Sequence, residues 1–257
     1  MRSAGVLAAG TPGEALEAAD VVIAAVPASS AIEVVATCAP HLATGQIYVD
    51  PSSALPSVKR RAATIVEGAG AQYVDVAVLG TVVMSGAQVP MLAAGGGAAE
   101  WQRQAAAVGL KVTSMAGGAG DAALVKLLRS VYMKGRDALV LEMVLAARRH
   151  GVQDAVLSSI GGPGEQVPFP SLAERVVCSL AVYAGRRADE LADAASLVRE
   201  VGVEPLMAQA GEDRLRRLAQ TGLSAHFGGE RPHDLAEVMT CLEALDGEGG
   251  AESAAIS

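Results

Sequence analysis

Two lysines and a serine share one face of a predicted helix and could form a catalytic site. Lys126, Ser130 and Lys134 follow one another at steps of four residues, and Asp137 lies close to the same line. A lysine that is partly desolvated can act as an acid at neutral pH. We therefore identify Lys126, Ser130 and Lys134 as candidate catalytic residues, with ordinary solvated lysines on a helix surface as the alternative.

Two hydroxyl groups follow a predicted strand and form a second candidate site. In "VDPSSALPSVKRRAA" (49–63) the strand ends at Asp50, Ser52 and Ser53 come next, and Pro56 begins a helix. Ligands of α/β proteins bind at the carboxyl ends of parallel strands, so these hydroxyls could hydrogen-bond a ligand. Helix capping explains the two serines equally well.

A glycine turn is the third candidate. Gly118, Gly120 and Ala123 match the dinucleotide pattern G-x-G-x-x-A, after a predicted strand and before a helix. No strand follows that helix, however, and no acidic residue on a second strand could hold a ribose. We therefore favour a flexible turn between two domains over a phosphate site.

Short apolar runs alternate with helical stretches over residues 1–116, which predicts a parallel sheet covered by helices. The run "DVVIAAVP" (20–27) is typical of a fully buried strand of such a sheet. Thr11, Pro12 and Glu14 form the capped start of a helix. Strands are predicted at 5–10, 20–27, 45–53, 72–80, 89–96 and 111–116, and helices at 11–19, 29–42, 55–70 and 98–109.

The remainder of the chain is predicted to be helical. Residues 121–150 contain no proline and would form one helix about 45 Å long, enough to bridge two lobes. We predict a C-terminal domain over 117–246 and a disordered tail over 247–257. Its further helices are predicted at 153–160, 170–184, 187–201, 205–220 and 232–245.

Composition excludes several classes of function. The chain has 257 residues, a net charge of −8 and 51% hydrophobic residues, so nucleic acid and anionic membranes are poor partners. No apolar run reaches the ~20 residues of a membrane span, and the N-terminus does not resemble a secretory signal. Three widely spaced cysteines indicate a reducing cytoplasm. The four histidines show no metal spacing.

The order of these motifs resembles the β-hydroxyacid dehydrogenase superfamily, which includes 6-phosphogluconate and 3-hydroxyisobutyrate dehydrogenases and the imine reductases. The signature D-x-[ST]-[ST]-x-x-P is present as Asp50, Ser52, Ser53 and Pro56. Segments 120–142 and 185–210 are more similar to the phosphogluconate-dehydrogenase-like branch with a distinctive C-terminal helical domain. The resemblance covers roughly residues 5–220.

This resemblance implies a Rossmann domain, a helical domain that forms a homodimer, and NADP or NAD as cofactor. It places the nicotinamide ring near Val26, Pro27, Ser52 and Ser53. It assigns the catalytic lysine to Lys126 and the polar residue of the same helix face to Ser130.

The chain also departs from the family pattern. Asn is usual at the position of Ser130, and the usual spacing from the glycine turn to the lysine is two residues shorter, so Lys134 remains a rival. The substrate-binding S-G-G segment is Leu79, Gly80 and Thr81 here. Because Leu79 cannot bind a carboxylate, an ordinary 3-hydroxy acid substrate is not expected.

A first strand, its G-x-G-x-x-G turn, a helix and a second strand precede "GVLAAGTPGEALEAADVV" in the family. These elements, about 35–45 residues, are missing here, so we expect a truncated Rossmann-like sheet that binds NADPH or NADH weakly or not at all. The overall expectation is an α/β fold: this sheet, a long bridging helix and an all-α C-terminal domain.

Three functions remain open on this sequence. The first is an NAD(P)-dependent oxidoreductase similar to a 3-hydroxyacid dehydrogenase or an imine reductase. The second is a redox-neutral lyase, isomerase or cyclase that works in the interdomain cleft without a nicotinamide cofactor. The third is a non-catalytic binding protein. In the enzymatic cases the partners are a small-molecule substrate and a second copy of the chain, bound through the C-terminal helices.

Overall fold

The computed structural model describes residues 7–162 and 166–254. The chain divides into two compact units, residues 1–133 and 134–257, and each unit is described by itself. The sequence placed the boundary after residue 116 instead. The difference arises because one continuous helix, Asp121–Arg149, contributes its first part to the first unit.

The first unit is built on a five-stranded sheet with the order β1-β2-β3-β4-β5. Five helices are interspersed with the strands. The strands are β1 (Val21–Ile23), β2 (Ile47–Asp50), β3 (Gln72–Val78), β4 (Met91–Ala94) and β5 (Val112–Ser114). The helices are α1 (Pro12–Leu16), α2 (Ala31–Cys38), α3 (Pro56–Gly68), α4 (Val82–Ser85) and α5 (Ala98–Ala107).

The sheet is mostly parallel, as the sequence predicted, but one of its strand pairs is antiparallel. Strands β1, β2 and β3 are parallel, β4 is antiparallel to β3, and β5 is parallel to β4. A parallel connection needs a crossover, usually a helix, that packs on the sheet. The segment between β3 and β4 holds only the short, exposed helix α4 and one turn of 3₁₀ helix, Gly86–Gln88. The Leu79 amide also donates to the Pro90 carbonyl at 2.8 Å, which brings the two ends of this segment together.

The prediction that "DVVIAAVP" forms a fully buried strand is wrong. Strand β1 has three residues, lies at one edge of the described sheet and pairs with β2. Val21 and Val22 are half-buried, and Ile23 is 53% exposed. An edge strand has a neighbour on one side and therefore less cover. Leu7–Gly10, part of another predicted strand, has no regular structure, and residues 5 and 6 lie outside the described part.

Side chains of the central strands alternate between two apolar layers, as the period of a strand requires. Tyr48 and Tyr73 face the layer that contains Val35 and Val66 from α2 and α3. On the other face, Trp101 of α5 packs in a layer with strand residues Ile47, Val49, Val74 and Val76. The predicted helix start is confirmed too, because the Thr11 hydroxyl accepts a hydrogen bond from the Glu14 amide at 3.2 Å.

The second unit is helical. Its helices are the later part of α6 (Asp121–Arg149), then α7 (Gln153–Ser159), α8 (Phe169–Glu200), α9 (Leu206–Gln220), α10 (Leu223–His226) and α11 (Leu235–Ala254). The prediction of one long helix over 121–150 is confirmed. None of the helices described is both long and apolar enough to cross a membrane.

Two predicted helices, 170–184 and 187–201, form the single helix α8. The predicted gap at 185–186 contains Gly185, and one glycine costs a helix interior only about 1 kcal/mol. Buried Ala181, Ala184, Ala188 and Ala195 continue the packed face across it. Helix α11 also runs to Ala254, so residues 247–254 of the predicted disordered tail are helical, and 255–257 lie outside the described part.

Candidate functional site

Two candidate residues that are far apart in the sequence meet in the first unit. The Lys126 ammonium donates a hydrogen bond to the Ser53 hydroxyl at 2.7 Å, across a separation of 73 residues. Ser53 lies in the loop between β2 and α3, and Lys126 lies on the second turn of α6. Lys126 is half-buried and Ser53 is exposed, so a small molecule can reach this pair from the serine side.

The two serines do not cap the helix that follows them. Helix α3 begins after Leu55, and no side chain accepts from its first amides. Instead, the Ser52 amide donates to Asp50 Oδ1 at 2.9 Å, which shapes the turn after β2. The buried Ser52 hydroxyl has no hydrogen-bond partner among the described residues. Neither serine therefore caps α3, and the exposed Ser53 hydroxyl is the one of the two that a ligand can reach in this structure.

The other two residues of the predicted catalytic face are placed differently from Lys126. The Ser130 hydroxyl donates to the Lys126 carbonyl of its own helix at 2.8 Å. Lys134 is exposed and lies two turns further along α6, about 12 Å from Lys126 by helix geometry. Of the two lysines on this face, Lys126 is thus the one that the structure pairs with Ser53, in the loop after β2.

The remaining predicted ligand residues follow strands β1 and β3. Val26 is half-buried and Pro27 is exposed just beyond β1. Leu79 is half-buried and packs against the small apolar cluster of Ala77, Ala94 and Ala122, whereas Gly80 and Thr81 are exposed. Because β1, β2 and β3 are parallel, their carboxyl ends lie on the same side of the sheet. All these residues therefore lie beyond the carboxyl ends of the strands, as Ser53 does.

A buried ionic cluster beneath the Ser53 loop escaped the sequence interpretation. Lys59 of α3 is fully buried, and its ammonium lies 3.0 Å from Asp50 Oδ1 and 3.3 Å from Asp75 Oδ1. It also donates to the Asp50 carbonyl at 2.7 Å. Tyr73 donates to Asp50 Oδ2 at 2.7 Å. A signal existed: the lysine shares the period of buried Ala62, Ala63 and Val66 on one face of α3.

The cluster shifts the titration of two of its members. Burial alone would raise the pKa of Asp50, but the charge of Lys59 and hydrogen bonds from Ser52, Tyr73 and Lys59 hold its pKa below the usual value. The pKa of Tyr73 is raised by its burial and by the charge and hydrogen bond of Asp50. Asp50 is therefore a carboxylate and Tyr73 a neutral phenol at neutral pH.

The amides of the G-x-G-x-x-A turn are already bound to carboxylates of the chain. Asp75 Oδ2 accepts from the amides of Gly120 at 3.1 Å and Ala123 at 2.9 Å. Asp121 Oδ2 accepts from the Gly118 amide at 2.8 Å. An anion is favoured at a helix N-terminus, and here Asp75 supplies it. The turn therefore does not fit the pyrophosphate of a dinucleotide, whereas the apolar Val26 and Pro27 and the hydroxyl of Ser53, beyond the carboxyl ends of β1 and β2, are suited in chemistry to an aromatic amide such as nicotinamide.

The second unit has an apolar cavity of about 410 Å³. Leu139, Met143 and Leu197 are among its lining residues. Its polar groups are occupied within the unit: Glu142 accepts from the amides of Met207 and Ala208, and His150 Nε2 contacts the Leu197 carbonyl at 2.9 Å. Within the described residues, no three His, Cys, Asp or Glu side chains are grouped as metal ligands.

Two families match the chain. Residues 1–118 match the NAD binding domain of 6-phosphogluconate dehydrogenase, and residues 147–218 match a domain of unknown function, DUF1932. An uncharacterized 28.5 kDa protein of Methanothermus fervidus is 23% identical over 201 residues, which cover 78% of this chain and 76% of that protein.

The chain is also similar in fold to solved structures. A conserved protein of unknown function, described as structurally similar to 3-hydroxyacid dehydrogenases, is 28% identical with a TM-score of 0.57 over 85% of this chain and 83% of that chain. An imine reductase of Aspergillus terreus, in complex with NADPH4 and dibenz[c,e]azepine, is 21% identical with a TM-score of 0.70 over 90% of this chain and 82% of that chain. The fold is thus similar to those of 3-hydroxyacid dehydrogenases and imine reductases, and its first 118 residues match an NAD binding domain.

Proposed function

We propose, from the match of residues 1–118 to the NAD binding domain of 6-phosphogluconate dehydrogenase, that the chain is an NAD(P)-dependent oxidoreductase in which Lys126 and Ser53 act on the reacting group of the substrate. The observation that carries this proposal is the 2.7 Å hydrogen bond from Lys126 to Ser53, beyond the carboxyl ends of the parallel strands. Parallel α/β sheets bind their ligands at these ends.

A bound nicotinamide supplies or accepts a hydride. The residues of this chain would do the rest: Val26, Pro27 and the loop of Ser52 and Ser53 would hold the ring, and Ser53 orients the Lys126 ammonium. Lys126 then donates a proton to the oxygen or nitrogen of the substrate as negative charge develops there. In the reverse direction the neutral amine accepts the same proton.

We propose a neutral C=N or C=O compound as substrate, in preference to a 3-hydroxy acid. A carboxylate substrate needs donors at its binding segment. At the first position of that segment, Leu79 instead packs its apolar side chain against Ala77, Ala94 and Ala122. A cyclic imine is a suitable first test compound, since an imine reductase with this fold has been solved with dibenz[c,e]azepine.

One observation favours a second function, namely redox-neutral chemistry by the same Lys126. The amides of the 118–123 turn are held by Asp75 and Asp121, so that turn contributes nothing to cofactor affinity. A lyase, isomerase or cyclase could use the lysine as an acid without a nicotinamide. Calorimetric titration with NADPH and NADH separates the two functions, because a micromolar dissociation constant for either cofactor would exclude the cofactor-free alternative.

The catalytic assignment is tested by steady-state turnover of three variants. Loss of a positioned general acid typically costs about 100- to 10,000-fold in rate, and we expect this of Lys126→Met. Lys134→Met is the matched control, since it removes the same group from an exposed position of the same helix, and it should retain near-parental turnover. Ser53→Ala should fall between them. A dead Lys134→Met with an active Lys126→Met would mean that the reacting group binds two turns further along α6.

We propose that the chain forms a homodimer through its C-terminal helices and works in the cytoplasm. Support for the dimer comes from apolar side chains of α6 in the second unit that are exposed in the single chain: Leu139, Val140, Leu141 and Leu145. Exposed apolar patches of this kind usually mark interfaces. Support for the compartment comes from three free cysteines, of which Cys38 and Cys178 are buried.

The dimer is tested by light scattering at micromolar concentration. Leu141→Glu places a charge in the exposed apolar row of α6, and we expect it to shift the parental dimer to monomer. Gln220→Glu adds the same charge at the exposed end of α9 and should remain dimeric. A parental chain that is monomeric at these concentrations would refute the proposal.

A further inference from the structure

The buried Lys59 joins the two segments that carry the candidate catalytic pair. Its ammonium contacts Asp50, at the end of β2, and Asp75, in β3. The side chains of Lys59 and Asp75 are fully buried, and that of Asp50 is 2% exposed. No solvent therefore competes for these contacts, and the one cation is shared between two carboxylates.

Asp50 connects the ionic cluster to the loop that carries Ser53. Its Oδ1 accepts from the Ser52 amide at 2.9 Å, and its backbone carbonyl accepts from Lys59 at 2.7 Å. The backbone on both sides of Pro51 is therefore fixed to the ionic cluster. Ser53 directly follows Ser52, and its hydroxyl accepts the hydrogen bond from Lys126.

Asp75 connects the ionic cluster to the start of α6, the helix that carries Lys126. Its Oδ1 faces the Lys59 ammonium, and its Oδ2 accepts from the Gly120 and Ala123 amides at the start of α6. A carboxylate at this place caps the helix, and its negative charge interacts favourably with the partial positive charge at the helix N-terminus. Lys126 is three residues after Ala123 and so lies one turn further, on the same side of the helix.

A buried ion network of this kind adds little net stability, because the desolvation of its charges offsets their attraction. Its effect is to hold groups in one arrangement. We propose that Lys59 is a positioning residue, which fixes the Ser53 turn through Asp50 and the start of α6 through Asp75 so that Ser53 and Lys126 meet. This role rests on the proposed function of the pair, but its geometry can be tested without any turnover.

The test is the reactivity of the Lys126 amine. The chain contains four lysines, Lys59, Lys111, Lys126 and Lys134, and peptide mass spectrometry distinguishes them after brief reductive methylation with formaldehyde. The Lys126 amine is half-buried and hydrogen-bonded to Ser53 and should react more slowly than the exposed Lys134, which serves as the internal reference. The quantity measured is the ratio of the Lys126 rate to the Lys134 rate in the folded protein.

In Lys59→Met we expect this ratio to rise about 3- to 10-fold, the change that corresponds to losing one hydrogen bond of ordinary net strength. Arg61→Met removes a cation from an exposed position of the same helix and should leave the ratio unchanged. A folded Lys59→Met with the parental ratio would overturn the proposal.

If circular dichroism finds Lys59→Met unfolded, Asp75→Asn decides the matter. Asn keeps the size of the side chain and an oxygen that can accept from Gly120 and Ala123, but it removes the charge that Lys59 binds. A raised ratio supports the proposal, and a parental ratio contradicts it.

Turnover gives a separate result. If a substrate is found, Lys59→Met should lower kcat at nearly unchanged KM, because it displaces the acid and leaves the ligand contacts in place. If the labelling ratio responds but no nicotinamide-dependent or redox-neutral turnover depends on Lys126, the proposed function fails while the positioning role stands.

Discussion

Substituting Gly120 tests whether the glycine turn before α6 is a packing junction or a phosphate loop. Gly120 has a φ of +96°, and a Cβ built there lies 2.7 Å from the Pro56 carbonyl oxygen. The positive φ costs a residue with a side chain about 1–3 kcal/mol, and overpacking against backbone costs about 1–3 kcal/mol more. We therefore expect Gly120→Ala to lower the free energy of unfolding by roughly 4 kcal/mol.

At roughly 2–4 °C per kcal/mol for a chain of this size, that loss lowers Tm by about 8–16 °C. Thermal unfolding followed by circular dichroism measures it. Gly118→Ala is the matched control, since a Cβ at Gly118 has open space around it, and its effect should stay within about 0.5 kcal/mol. A phosphate loop would predict the opposite pattern, with both variants near parental stability and both weakened in cofactor binding. A parental Tm for Gly120→Ala would refute the packing argument.

Two further predictions concern stability. The pKa of Asp50 is lowered in the folded chain, so its contribution is present above its unfolded pKa of about 4 and is lost as the pH falls through the folded value. Asp50→Asn should flatten the fall of Tm on the acid side, and an unchanged slope would contradict this. Glu142 accepts from the Met207 and Ala208 amides at 2.7 and 2.9 Å, so Glu142→Ala should cost about 1–2 kcal/mol as a lost cap of α9. Glu190→Ala, which removes an exposed ion pair with Arg186, should cost less than about 1 kcal/mol in the same denaturant titration.

Local signals in the sequence located most elements but not their environment. The absence of proline over 121–150 predicted α6 almost to the residue, and Thr11 with Pro12 marked the start of α1. The pattern "VPMLAAGG" located β4 but is the same for either strand direction. Its antiparallel pairing with β3 depends on the short α4 segment before it. Likewise, "DVVIAAVP" indicated a strand but could not reveal that β1 lies at the edge of the described sheet.

The candidate site was predictable in part, for a similar reason. The resemblance singled out Ser53 and Lys126 separately, and the structure places them in contact. Lys59 was missed because lysines are almost always solvated and because its partners come from two different strands. Tertiary pairing, which no local pattern encodes, decides that Asp50 and Asp75 lie side by side in the register of β2 and β3.

The same pairing determines what the start of α6 can bind. A helix N-terminus offers a small number of free amides to one anion, and Asp75 takes two of them at Gly120 and Ala123. Displacing Asp75 with a phosphate would leave that carboxylate buried beside Asp50 with only Lys59 to neutralise both, an arrangement that costs several kcal/mol. A G-x-G-x-x-A match in this chain is therefore a site for an internal carboxylate. Any cofactor phosphate must be held by other groups, while Lys126, one turn beyond the cap, keeps a fixed position relative to Ser53.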